Sequence, residues 1–248
     1  LNAMYHQNIM DTRNGAINFT YPLNRGLLLR KKAGIGIGVL VYQGGEIEWI
    51  KLNPDESIKS TEVAKAESDY EIGLCYGEEI TRFYGNTYAG VMVKWVHSTL
   101  AEKYRASALG IDMGVLHKIG GWGIGVALQN IGTQMEFIEK GDSLPLTLRF
   151  GSSYGKEIGK IVEMVVGIDV VKAKDENIGC NIGTEWWIGD ILGIRAGYKT
   201  TDEDKVSIGG SIKYKWIQLD YGYRMMDVFD NTHQVAITLR IGPPWIDK

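Results

Sequence analysis

The chain has 248 residues, enough for one domain or two small ones, and 44% hydrophobic with 23% charged residues excludes a disordered chain. A formal net charge of −3 leaves no basic excess of the kind a nucleic-acid binder carries, so no nucleic-acid partner is expected. Glycine, at 32 residues, is about twice its usual ~7% but follows no G-X-Y period, which excludes collagen.

Hydropathy excludes a transmembrane helix. The longest uncharged run, Ile119 to Met135, has 17 residues and holds five glycines, whereas a spanning helix needs about 20 mostly apolar residues. The start, Leu1-Asn2-Ala3-Met4, has neither a basic nor an apolar leader region, so no signal peptide is read there.

A period of two dominates from end to end. Fourteen strands are predicted in chain order, at residues 1–9, 14–23, 33–43, 69–80, 86–97, 106–118, 121–131, 145–155, 160–171, 176–188, 190–200, 205–214, 216–226 and 232–242. Most exceed the five or six residues typical of globular strands. They match the roughly 9–11 residues with which a tilted strand crosses a bilayer. Between them, longer connections (44–68, 98–105, 132–144, 172–175, 201–204, 227–231) alternate with short ones (81–85, 119–120, 156–159, 189, 215), with a medium link at 24–32. Sorting of this kind is expected of an outer-membrane barrel. The one helix-tolerant stretch, Asp55 to Ser68, is polar and is read as loop.

The two faces of the strands differ in kind. Leu109, Ile111, Met113 and Val115 alternate with Ala108, Gly110, Asp112 and Gly114. The predicted fold is therefore an all-β, transmembrane, antiparallel up-and-down barrel of about 14 strands forming a single domain over 1–248. Its apolar face meets lipid and its small polar face meets the lumen. Leu109, Ile111, Val126, Leu148, Ile194 and Ile237 are the expected lipid-facing residues. Tyr21, Tyr70, Trp95, Trp122, Tyr154, Trp186, Tyr198, Tyr214 and Tyr223 lie near strand ends on the same parity, as interfacial girdles do.

The inward parity carries Glu71, Asp112, Glu163, Asp169, Glu185 and Asp220 together with Lys94, Arg149, Arg195, Lys213, Arg224 and Arg240. Balanced signs predict a paired charge network inside a narrow lumen rather than a pore selective for one sign.

Other motifs yield to the same pattern. Gly34-Ile35-Gly36-Ile37-Gly38 and Gly121-Trp122-Gly123-Ile124-Gly125 open no helix and are not GxGxxG, so no phosphate loop or cofactor follows. His6, His97, His117 and His233 have no zinc-ligand spacing, and no Ser or Asp is singled out for catalysis. No metal and no enzymatic activity are expected. Cys75 shares the inward parity of Gly73 and Gly77, and Cys180 the outward parity of Ile178 and Ile182, so the thiols should stay unbridged.

A family resemblance enters through six segments in order. They are Ala108-Leu109-Gly110-Ile111-Asp112-Met113-Gly114-Val115; Gly125-Val126-Ala127-Leu128-Gln129-Asn130-Ile131-Gly132; Leu144-Pro145-Leu146-Thr147-Leu148-Arg149-Phe150-Gly151; Gly183-Thr184-Glu185-Trp186-Trp187 with Ile194-Arg195-Ala196-Gly197-Tyr198; Leu219-Asp220-Tyr221-Gly222-Tyr223; and Asn231-Thr232-His233-Gln234-Val235. The series resembles the PorV/PorQ family of FadL-like outer-membrane proteins. The resemblance implies a 14-stranded barrel in a Gram-negative outer membrane and a shuttle or accessory role in type IX-like secretion to the cell surface. Its partners would be outer-membrane lipid, secretion-machinery components and cargo proteins. The alternative is a FadL-like diffusion channel for hydrophobic small molecules. A soluble lipid-binding barrel is a third reading. Relative to the family, the N-terminal signal and plug segment are expected to be missing, and the end from Ile241 to Lys248 lacks the usual terminal aromatic.

Overall fold

A computed structural model describes residues 1–7, 12–55, 57–81, 84–138, 141–200, 206–226 and 231–241. The predicted connection at 201–204, residues 227–230 of the predicted connection 227–231, and the end from residue 242 lie outside the described residues. So do residues 8 and 9 of the first predicted strand and residues 139–140 in the connection 132–144.

The strands are, in chain order, β1 (Asn2–Gln7), β2 (Arg13–Leu23), β3 (Ala33–Gln43), β4 (Glu46–Leu52), β5 (Ile58–Lys65), β6 (Glu67–Thr81), β7 (Asn86–Leu100), β8 (Tyr104–Ile119), β9 (Trp122–Gly132), β10 (Gln134–Glu136), β11 (Gly141–Ser143), β12 (Thr147–Ile158), β13 (Val162–Ala173), β14 (Gly179–Ile188), β15 (Leu192–Lys199), β16 (Val206–Tyr214), β17 (Ile217–Met225) and β18 (Thr232–Leu239). All except β4, β5, β10 and β11 form one closed antiparallel barrel of 14 strands. It closes where Tyr5 of β1 pairs with Val235 of β18 on one side and Gly15 of β2 on the other.

The register keeps like with like. Val93 pairs with Ile111, Phe150 with Val126, Trp186 with Ile194 and Leu219 with Ile237, all on the outer wall. A slip of one residue would turn each strand's apolar set into the lumen. The burial is the reverse of a soluble protein's. Among the described residues the buried hydrophobics are four alanines and Leu144, while Lys94, Ser98, Ser211 and Gln218 are buried. Leu, Ile and Val line the outside. Such an apolar outer belt, closed without a free edge, is what a bilayer tolerates.

The two ends differ. One carries the connections 120–121, 159–161, 189–191 and 215–216, and is called here the turn end. At 189–190 both Gly189 (φ 60°) and Asp190 (φ 56°) are left-handed, and the Ile191 N–H donates to the Ile188 carbonyl at 3.2 Å. With Ile191 they make a three-residue connection, since Ile188 pairs with Leu192. The opposite, loop end carries 44–66, 133–146 and 174–178. Two connections break the sorting. The loop end has a tight link at 101–103, with Ala101 and Glu102 both at positive φ, and the turn end has the nine-residue link 24–32.

Two stretches read as loop contain strands. β4 and β5 pair into a hairpin within 44–66, and β10 pairs with β11 within 133–146. The stretch from Asp55 to Ser68 is therefore strand over most of its length. Cys75 and Cys180 are free thiols.

Candidate functional site in the barrel lumen

The charged residues assigned to the lumen fall into two groups and several singles rather than one network. On the β6–β8 wall, Lys94 Nζ lies 3.0 Å from Asp112 Oδ2 and 3.9 Å from Glu71 Oε2. The Lys94 side chain is 8% exposed. Asp112 also accepts the Asn130 backbone N–H at 2.6 Å. Asn130 has φ 65°, and the β8–β9 register shifts beside Asp112. The carboxylate thus ties down a β-bulge, where an extra residue would leave its N–H unpaired. Leu144 folds in from the connection before β12 and is buried; a Cβ on Gly110 would stand 3.1 Å from it and 3.2 Å from the Lys94 stem.

On the β14–β18 wall, Arg195 is held between Glu185 and Asp220, donating to Asp220 Oδ1 at 2.9 Å and to Glu185 through Nε. Ser211 bonds both Arg195 and Asp220. The Trp187 indole donates to Glu185 at 2.6 Å, and the Arg195 guanidinium lies 5.7 Å from the Trp187 ring centroid. Gln218 donates to Asp220 at 2.8 Å and accepts from Arg240 at 3.3 Å, which brings Arg240 into the group. These side chains are about a third exposed or less, so water reaches this cluster more readily than Lys94.

The remaining assigned residues are placed elsewhere. Lys213 turns to the rim and pairs with Asp190 of the β14–β15 turn at 2.8 Å. Arg149 and Asp169 line a lumen cavity on neighbouring strands, with no ion pair between them. Glu163 is exposed near the turn end of β13 and joins neither group, and Arg224 lines the same space as Arg195. Leu109, Ile111, Val126, Leu148, Ile194 and Ile237 stand on the outer wall, 39–56% exposed. No cluster of three metal-ligating side chains occurs among the described residues.

Between the walls is free volume. A cavity of about 750 Å³ is lined by Gly123, Gly125, Gly151, Gly167, Gly183, Gly197, Gly209 and Gly222, with Arg195, Asp220, Asn181 and Ser153 among the polar groups. A second space of about 430 Å³ adjoins it, sharing Leu116, Gly125, Gly151 and Asp169, and reaches Tyr88, Ala89, Ala127 and Arg149. The glycines sit where neighbouring strands present their inner faces, so the wall there is bare backbone.

The parity of the sequence assigns a side of the wall to each residue. It does not reveal the uncharged members: Trp187, Ser211 and Gln218 in one cluster, the Asn130 bulge and Leu144 in the other. The dipeptide Glu78-Glu79 did carry a signal. Two adjacent strand residues must face opposite ways, so one carboxylate had to stand on the outer wall. It is Glu78.

A closed 14-strand antiparallel barrel with an apolar exterior is the outer-membrane barrel fold, and the chain is an outer-membrane β-barrel protein. Among solved structures it is similar to the Pseudomonas putida toluene transporter TodX (TM-score 0.59, 10% identity, 98% of this chain and 88% of that one). It is also similar to the Ralstonia pickettii toluene transporter TbuX (0.59, 11%, 97% and 87%) and to the Acinetobacter baumannii outer membrane protein Omp33 (0.57, 10%, 97% and 96%). These likenesses show a shared outer-membrane barrel fold. No protein-family model and no curated protein matches the chain.

Proposed function

We propose that this protein is a transport barrel that admits small apolar molecules across the outer membrane. The observation that carries the reading is the glycine-lined cavity of about 750 Å³ in the lumen. A wall of bare backbone leaves room for a guest, and the adjoining space adds Leu116, Ala127, Ala89 and Tyr88 as apolar surface. Two barrels of similar fold are toluene transporters, which supports an aromatic or aliphatic hydrocarbon as the substrate class.

The test fills the cavity. A Cβ on Gly183 would meet only ordinary contacts, the nearest being the Ala196 carbonyl at 3.5 Å, so Gly183→Trp has space to grow into the lumen. Proteoliposomes or expressing cells should take up toluene faster than controls without the barrel, and Gly183→Trp should remove most of that gain. Uptake equal to the controls overturns the reading.

The export-accessory reading, after the PorV/PorQ resemblance, draws on different features. Ion pairs at Lys94 and Arg195 narrow the lumen, and the β4–β5 hairpin offers a protein-sized surface at the loop end. On that reading, deleting residues 46–65 abolishes surface delivery of a cargo protein while Gly183→Trp changes nothing.

A further inference from the structure

We infer that the connection 24–32 is a lipid-binding wedge, built on the outer wall at the turn end and directed at anionic phospholipid headgroups of the leaflet that end faces. The first observation is how the segment is held. Its backbone folds outward over β3 onto the outer face of β6 instead of turning across the rim. The Leu27 N–H donates to the Tyr76 hydroxyl at 2.8 Å, and those of Leu28, Leu29 and Lys31 donate to the Glu78 carboxylate at 3.1, 2.8 and 3.1 Å. Tyr76 itself donates to Glu78 at 2.6 Å, and Lys31 Nζ to the Ile80 carbonyl at 3.0 Å. The Gly26 N–H donates to the Lys31 carbonyl at 2.6 Å, closing the loop. Glu78 is 3% exposed although its strand position puts it on the outer wall. A carboxylate there would be intolerable to hydrocarbon if bare, and the loop satisfies it with backbone donors.

The second observation is what the pinned loop displays. Leu27, Leu28 and Leu29 are 75%, 78% and 51% exposed, three consecutive large apolar side chains. Their backbone N–H groups are the ones spent on Tyr76 and Glu78, so the side chains project away from the wall. Arg25, Arg30 and Lys32 flank them, all exposed, with no ion pair to a described carboxylate. Arg30 has φ 57°, a left-handed bend just after the leucines. Apolar side chains bordered by cations, at the edge of a lipid-facing belt, match an interface with acyl chains on one side and phosphates on the other. Tyr76 and Glu78 lie three to five residues from the end of β6 at Thr81, about 10–17 Å at 3.3 Å per residue, which sets the loop at the headgroup boundary rather than the midplane.

The closeness of the fit gives a control. A Cβ on Gly26 would lie 2.1 Å from Glu78 Oε1, so Gly26→Ala must displace the carboxylate from the N–H groups that hold the loop to the wall.

The experiment uses the full chain with Cys75→Ser and Cys180→Ser, labelled through Leu28→Cys with an environment-sensitive fluorophore. The barrel is reconstituted in phosphatidylcholine with or without phosphatidylglycerol. The emission should be blue-shifted and quenched by a nitroxide at headgroup depth, and more strongly with phosphatidylglycerol. A label at Lys59→Cys on the β4–β5 hairpin should stay water-like. Adding Gly26→Ala should return the Leu28→Cys label toward the water-like signal. Replacing Arg25, Arg30 and Lys32 with Gln should lower phosphatidylglycerol enrichment around the barrel by about fivefold per charge. A water-like signal at Leu28→Cys in both lipids overturns the proposal, as does enrichment unchanged by the Gln substitutions. A blue shift that appears only when a soluble protein is added would assign the loop to a protein partner instead and also overturns it.

Discussion

Lys94 and Arg195 do the same job in different surroundings. Each is a cation between two lumen carboxylates, but the Lys94 and Asp112 side chains are 8% and 15% exposed, against 33% and 20% for Arg195 and Asp220. Removing one partner of a dry pair strands the other at about 3–5 kcal/mol, and solvent lowers that figure. Lys94→Ala should therefore cost about 3 kcal/mol and Arg195→Ala about 1–2 kcal/mol. Urea unfolding of the barrel in lipid vesicles checks the order, and equal losses would contradict the exposure argument. The outer wall gives the complementary case. Ile111 lies mid-strand in β8, so Ile111→Arg should cost roughly 2–4 kcal/mol in the same assay if that position meets lipid near the midplane. Side assignment was legible at this scale because it needs only the parity of a strand. Partners were less so: Glu185 meets Arg195 because the three-residue connection 189–191 pairs Ile188 with Leu192 and so sets the register, while Trp187 enters the same cluster with no charge to announce it.

Elements beyond the barrel wall follow weaker signals. The β4–β5 hairpin was hidden by polarity: Lys59, Ser60, Thr61 and Glu62 lack the apolar alternation that marks a wall strand, because neither face of a projecting hairpin meets lipid. Its turn is held by Asp55, whose Oδ1 accepts from the Ser57 N–H at 3.1 Å and from the Ser57 hydroxyl. Those bonds favour the charged form and hold the Asp55 carboxyl below its ordinary value. A depressed folded value contributes order above the ordinary carboxylate pKa, and that order is lost as pH falls through the folded value. The Ser57 amide should thus stay protected from exchange at neutral pH and lose protection in acid, while Asp55→Asn should flatten the profile. The link 24–32 was read only as a connection of medium length. Length cannot show that its backbone would dock outside the wall, because that depends on Glu78 two strands away in the barrel.

For the whole molecule, strand number and the inside-out arrangement were legible, since a period of two sustained along the chain repeats one instruction fourteen times. Sorting of the connections also carried the topology, with Leu1 and the end of β18 both at the turn end. An epitope inserted at Pro54 in the β4–β5 turn should be reachable on intact cells and one at Gly120 should not, and the reverse result would invert the barrel. The closure itself has a kinetic consequence. Every other neighbouring pair of wall strands is adjacent in the chain or separated by one small hairpin, whereas β1 meets β18 across almost the full length, with the Asn2 side chain bonded to Thr238. Thirteen of the fourteen seams can zip from local turns, and the last must wait for the two ends of a nearly finished sheet to find each other. Until then both edges are unpaired and open to other chains. A reporter pair placed across Met4 and Ala236 should come together later during assembly than one across Glu185 and Arg195, and substitutions along β1 should slow completion of the barrel more than its onset.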